Sequence, residues 1–351
     1  MIRSLYVGTY TRGDSKGIYR IPVAGTDFGT PELAAETKNP SYLAIHPNGR
    51  TLYSVCEIAE HDGTPQGGVE AYERDVETGA LRLLGAQPSG SKGPCYVSID
   101  PAGEYAAVAN YGGGSVELLR VAPDGALTEV LDHHIHEGSS VNSKRQAEAH
   151  AHSAVFDTTG AFLFVPDLGM DRVVCYAVDR RNDTLVPSPE KTVAAEPGSG
   201  PRHIIFHPSG TAAYLANELT STVMSFAYSG GHMSHRQTLT MLPAEFSGEN
   251  TAADIHLSND GAYIFASNRG HDSLAIYQIG DDPTTLSPAG WSSTNGRTPR
   301  NFTVHPSEPI VLAANQDSDS ITVFHYTMEE PVLTASGRQL EAPSPVCLQW
   351  A

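Results

Sequence analysis

Short apolar runs with a period of two recur along the chain, each followed by a tight polar turn and a second apolar run. Alternation at that period marks half-buried β-strands, not helices. The unit is clearest at Tyr42-Leu43-Ala44-Ile45-His46-Pro47-Asn48-Gly49 and again at Tyr96-Val97-Ser98-Ile99-Asp100-Pro101-Ala102-Gly103. It returns at Ala154-Val155-Phe156-Asp157-Thr158-Thr159-Gly160 and Ile204-Ile205-Phe206-His207-Pro208-Ser209-Gly210. Looser copies are Ile255-His256-Leu257-Ser258-Asn259-Asp260-Gly261 and Phe302-Thr303-Val304-His305-Pro306-Ser307-Glu308. Gly and Pro supply the backbone angles that such turns require.

Successive turns at positions 46, 100, 157, 207, 258 and 305 are separated by about 47 to 57 residues, the spacing of propeller blades. A third and a fourth strand follow in each repeat, joined by hairpin signals such as Glu77-Thr78-Gly79-Ala80-Leu81 and Pro123-Asp124-Gly125-Ala126-Leu127. The opening Leu5-Tyr6-Val7-Gly8-Thr9-Tyr10 reads as the second strand of a repeat, and the closing Pro345-Val346-Cys347-Leu348-Gln349-Trp350 as a first strand. The pattern therefore predicts an all-β fold: a seven-bladed β-propeller of four-stranded antiparallel blades over residues 1–351, closed by N- and C-terminal strands that share one blade.

Composition narrows the functions available. The 33 glycines and 24 prolines are spread along a chain that is 40% hydrophobic, as expected of many short strands around a large core. A formal charge of −18 argues against nucleic acid and anionic membranes as partners. Any anionic substrate would have to be met by local arginines. Cys56, Cys95, Cys175 and Cys347 lack metal or redox spacing and read as reduced core thiols. Met1–Gly8 runs into strand-like sequence without the apolar stretch of a signal peptide, so a cytoplasmic location is expected. The sequence does not determine an oligomeric state.

The first two strands of a blade are antiparallel, so the start of the first and the end of the second share one rim. First-strand starts include His152, Arg202 and Arg300, followed by Ser153, His203 and Asn301, with Asp254 in the next column. Second-strand ends include Tyr10, Glu57, Tyr111, Glu218 and Arg269, with Asn217 preceding Glu218. Charges and an imidazole beside a narrow channel are costly unless paired or used. The rim is therefore the expected site, with Glu57, His203 and Asn217 among its candidate substrate contacts.

Other signals carry less. Gly13-Asp14-Ser15-Lys16-Gly17 has the spacing of a hydrolase nucleophile, but that motif works on a strand-to-helix turn and here joins two strands. His133-His134-Ile135-His136 and His150-Ala151-His152 lack carboxylate partners at ligand spacing, so neither a metal nor another cofactor is expected. The stretch from Leu131 to Gln146, with Lys144 and Arg145, is the longest interruption of the repeat, either a lid over the rim or a tolerated insertion.

Gly200-Pro201-Arg202-His203, Ala216-Asn217-Glu218-Leu219, Ala252-Ala253-Asp254-Ile255-His256, Asn268-Arg269, Thr298-Pro299-Arg300-Asn301-Phe302 and Ala149-His150-Ala151-His152-Ser153 together resemble the bacterial seven-bladed lactonase family. That family includes propeller-type 6-phosphogluconolactonases and fungal carboxy-cis,cis-muconate cyclising enzymes. The resemblance runs over essentially the whole chain and implies His152, Arg202, Glu218 and Arg269 as functional residues, supported by Arg300 and Asp254. The implied activity is hydrolysis of an anionic sugar lactone, 6-phosphogluconolactone above all; the alternatives are a muconate-cyclising lyase or isomerase and a non-catalytic binding platform. For hydrolysis, Glu218 is the expected general base and His152 the proton carrier. Arg202 would hold Glu218 ionised or stabilise the oxyanion, and Arg269 and Arg300 would clamp an anion.

Overall fold

The computed structural model describes residues 2–60, 63–327 and 332–351, the side chains of Ile2 and Arg3 excepted. Seven antiparallel sheets make up the chain, and six of them are continuous in sequence and begin at their innermost strand. The six continuous blades open with strands Leu43–Ile45, Pro94–Ile99, Val155–Phe156, Pro201–Phe206, Thr251–Leu257 and Pro299–Val304. The seventh takes its inner strand, Pro345–Trp350, from the C-terminus and pairs it with Ile2–Thr9. Closure by the two termini thus matches the complementary half-repeats in the sequence, and it packs the shared blade between its two neighbours.

The turn between first and second strands explains the recurring glycine. Gly49, Gly103, Gly160, Gly210 and Gly261 all take positive φ, between 67° and 74°, which a side chain would strain. The residue three positions earlier anchors the turn. Asp100 Oδ1 accepts from the N–H of Glu104 and Tyr105, and Asp157 Oδ1 from those of Ala161 and Phe162.

Burial falls from the inside outward. Second strands such as Tyr105–Asn110, Ala212–Asn217 and Ile310–Asn315 are buried throughout, whereas the fourth strand His232–Thr240 is mostly exposed. Apolar faces of adjacent blades interlock, as where Tyr214 and Ala216 pack with Ile264 and Ala266. The second-strand ends are therefore held on two sides by core, and residues placed there have little freedom.

One expectation changes. His133 and His134 lie on strand Leu127–Ile135, the fourth strand of its blade, so the interruption of the repeat begins only after Ile135. The histidine clusters also disperse. His133 pairs with Glu117, His134 with Asp132, His136 with Asp167 and Tyr176, and His150 with the Tyr111 carbonyl. Among the described residues, no group of three or more His, Cys, Asp or Glu is arranged to hold a metal ion.

Candidate active site

The mouth of the channel is shaped by a repeated irregularity. In the blades starting at Pro94, Pro201, Thr251, Pro299 and Pro345, the inner pair slips by one residue at the rim. Pro201 faces Asn217 while His203 faces Ala216, so Arg202 is the extra residue; Arg300 has the same position between Pro299 and Asn301. A bulge of this kind re-aims a side chain out of the alternating pattern. It brings both arginines to the channel. Gly200, at φ +67°, fixes the entry to that bulge: a Cβ there would lie 2.6 Å from Leu219 Cγ. Its carbonyl accepts from the Glu218 N–H at 2.7 Å, locking Glu218 beside Arg202.

Glu218 is the centre of the site. Its carboxylate, 4% exposed, is met by Arg145 Nη2 at 2.6 Å on Oε1, and by Arg269 Nη2 at 2.9 Å and Arg202 Nε at 3.0 Å on Oε2. His152 Nε2 lies 3.6 Å from Oε2. Burial alone would raise the affinity of this carboxylate for a proton. The guanidiniums of Arg269, Arg202 and Arg145 outweigh it and hold the group well below the ordinary glutamate range. Burial, with Arg202 next, keeps His152 well below the ordinary imidazole value and hence neutral. Burial also lowers Arg269, to about 10, against the opposing pull of Glu218.

In front of Glu218 is a cavity of about 280 Å³. Glu57, His152, Glu218, Arg269 and Arg300 line it, as do Tyr10, Cys95, Tyr111, Arg145 and Thr251. Three guanidiniums therefore face two carboxylates, a local excess of positive charge in a strongly acidic protein. The Tyr10 hydroxyl donates to Glu57 at 3.0 Å, and the Arg300 guanidinium stands 5.2 Å from the centre of the Tyr10 ring. Burial would lower Arg300, but Tyr10, Glu57 and Glu218 more than offset it and raise its hold on the proton. No hydrogen bond or ion pair holds the Arg300 guanidinium among the described residues.

Arg202, His203 and Asp254 form a second layer behind this wall. Asp254 accepts from His203 Nδ1 at 2.7 Å and His256 Nε2 at 2.8 Å, and from Asn301 Nδ2. His203 Nε2 accepts from Arg202 Nη1 at 3.2 Å, which requires the neutral tautomer because a guanidinium can only donate. Burial, reinforced by Arg202, pushes His203 down to about 4, in keeping with that assignment. The stacked rings of Tyr42 and Tyr96, 4.0 Å apart, pack edge-on against His203 in the same layer.

Asn217 stands apart. Its amide donates to Thr222 Oγ1 at 3.0 Å, just as Asn110, Asn268 and Asn315 donate to Ser115, Ser273 and Thr322 in their own blades. The recurrence ties the asparagine column to strand pairing rather than to the cavity. Arg145, by contrast, was absent from the rim columns because it lies on the connection after Ile135, where no strand register predicts its position. Tyr10 and Tyr111 stand in the columns but carry no charge to single them out, and the sequence marks Cys95 only as a core thiol.

The family described as Lactonase, 7-bladed beta-propeller, matches residues 4–350. The 6-phosphogluconolactonase of Bacillus subtilis is 34% identical over 349 residues, 98% of this chain and 97% of that protein. A 6-phosphogluconolactonase of Formosa agariphila is 31% identical over 98% of each chain. Among solved structures, the periplasmic gluconolactonase of Pseudomonas aeruginosa superposes with a TM-score of 0.93 at 36% identity, covering 100% of this chain and 99% of its own. With its blades, its closure and its rim in place, the chain belongs to the seven-bladed β-propeller lactonase family.

Proposed function

We propose that this protein hydrolyses a sugar lactone, with 6-phosphogluconolactone as the leading substrate, in the cavity in front of Glu218. The observation that carries the reading is a buried, ionised carboxylate beside a neutral imidazole, in a cup lined by arginines. Water adds to the lactone carbonyl while Glu218 takes its proton. The developing oxyanion needs a donor that is not already engaged. Arg202 is committed to Glu218, His203 and the Ala253 carbonyl, so its role is to hold the base. Arg300 then serves the oxyanion. When the ring C–O bond breaks, the proton passes from Glu218 through His152 to the departing oxygen. The product is the open hydroxy acid, which ionises at neutral pH.

The relatives named above support both a phosphorylated and an unphosphorylated aldonolactone. Arg269 and Arg145 supply the positive charge for a phosphate. The buried, free cysteines are compatible with a cytoplasmic location, and no helix among the described residues is long and apolar enough to cross a membrane.

The test is hydrolysis of freshly generated 6-phosphogluconolactone at mildly acidic pH, where spontaneous opening is slow, alongside unphosphorylated gluconolactone. Turnover of either supports the reading, and a preference for the phosphorylated substrate that Arg269→Ala reduces supports the phosphate assignment. Absence of turnover on both contradicts it.

A further inference from the structure

Glu218 presents a chemical tension. Three guanidiniums keep it ionised, and for the same reason they make it a weak base, since a general base works best when its affinity for a proton approaches that of its surroundings. The geometry of the three contacts points to a resolution. Arg202 is buried, 3% exposed, and anchored on three partners behind the wall. Arg145 is 39% exposed and comes from a connection outside the repeat; its other contact is a donation to the Tyr111 hydroxyl at 3.3 Å.

A second cavity, of about 590 Å³, opens beside the first. Arg145, Arg269 and Thr251 line both. Asn250 and Thr298 add polar groups to the outer wall, and Glu249 is its one carboxylate. Arg269 has a buried Nε without a hydrogen-bond partner, while its Nη2 bridges Glu218 and the Ala252 carbonyl. The two guanidiniums that neutralise Glu218 from the front thus also form the inner wall of an outer cavity wide enough for an anionic substituent.

Building on the lactonase reading, we infer that the outer cavity receives the anionic group of the substrate, and that this anion draws Arg145 away from Glu218 and so frees the carboxylate to take a proton from water. Arg145 is then a positioning residue that keeps the base quiescent until an anionic substrate arrives. Selectivity for a phosphorylated or carboxylated lactone appears in kcat as well as in KM. Arg202 and Arg269 remain on Glu218 after the exchange, and Arg300 lines the same cavity, so the base stays ionised at neutral pH.

Splitting the substrate tests this. The probe is inorganic phosphite, added to the full-length protein turning over unphosphorylated gluconolactone. The expected result is saturable activation, roughly threefold in kcat. The acidic limb of the pH–rate profile should move upward by about 1 unit, the effect of losing one neighbouring opposite charge. Arg145→Gln should show the shifted limb without phosphite and gain nothing from it, whereas Arg145→Lys should keep the parent limb. Pure inhibition by phosphite, or an Arg145→Gln limb that coincides with the parent's, overturns the inference and leaves the lactonase reading standing. A parent protein that opens neither lactone removes both.

Discussion

Glu218 at the channel mouth and Glu117 between two blades are both taken out of water, with side chains 4% and 0% exposed. Their charge states nevertheless differ. Glu218 has three guanidiniums within 3.0 Å and stays ionised far into acid. Glu117 lies on strand Ser115–Val121 against Gly90, where a Cβ would come 1.6 Å from its Oε1. Its contact is His133 Nδ1 at 2.6 Å, and its Oε2 has no partner. Burial pushes it up to about 8, so at neutral pH it is largely protonated and donates to the imidazole. Burial alone therefore does not determine a carboxylate's role in this protein. What separates the two is whether the fold supplies cations: around Glu218 a bulge delivers Arg202, a second-strand end Arg269 and the connection after Ile135 Arg145, whereas among the described residues no guanidinium is paired with Glu117.

The comparison can be broken in several ways, of which the largest concerns activity. Glu218→Gln should lower kcat by roughly 10²- to 10⁴-fold, the range for loss of a general base, and steady-state lactone hydrolysis checks it.

The next effect is on stability. Between pH 6.5 and 8, unfolded Glu117 has lost its proton and the folded group still holds it. The folded state binds more protons there, so its stability falls as pH rises. Below 6.5 the depressed His133 contributes in the opposite sense, since unfolded imidazole then binds the proton that the folded one resists. Across the window of 6.5 to 8 the Glu117 term reaches up to about 2 kcal/mol. Denaturant titrations of the parent and Glu117→Gln should diverge over that range, the variant gaining relative to the parent as pH rises. Parallel curves would mean that Glu117 is already ionised in the folded protein.

The smallest effect separates neighbours in sequence. Asn217→Ala removes a strand-pairing hydrogen bond and should cost about 1 kcal/mol. Its kcat should stay within about twofold of the parent's, in contrast to Glu218→Gln one residue along; thermal melts and the same hydrolysis assay separate the two effects.

These contrasts also show what the chain made legible. Hydrophobic period, turn glycines and complementary termini carry the propeller and its closure, because each blade repeats the same local chemistry. The rim columns identify Glu57, His152, Arg202, Glu218, Arg269 and Arg300 because strand register fixes where an end must lie. Register does not assign depth. Arg202, His203 and Asp254 sit one layer behind the cavity because the bulge adds a residue to one strand only, an offset that alternation cannot reveal. Arg145 escapes the columns because its segment has no strand partner. Glu117 is equally hidden: within Ser115-Val116-Glu117-Leu118 it looks like any polar residue in an alternating strand, and only the approach of Gly90 and the lack of a cation make it unusual.

The most direct test of the account is the pH dependence of kcat/KM for lactone hydrolysis, measured side by side for the parent, Glu218→Gln and Glu117→Gln. The account predicts that the parent and Glu117→Gln share one profile, active well into mildly acidic pH, while Glu218→Gln lies roughly 10²- to 10⁴-fold lower throughout. Near-parent activity in Glu218→Gln would contradict it, because the carboxylate at the centre of the arginine cluster would then have no part in activating water.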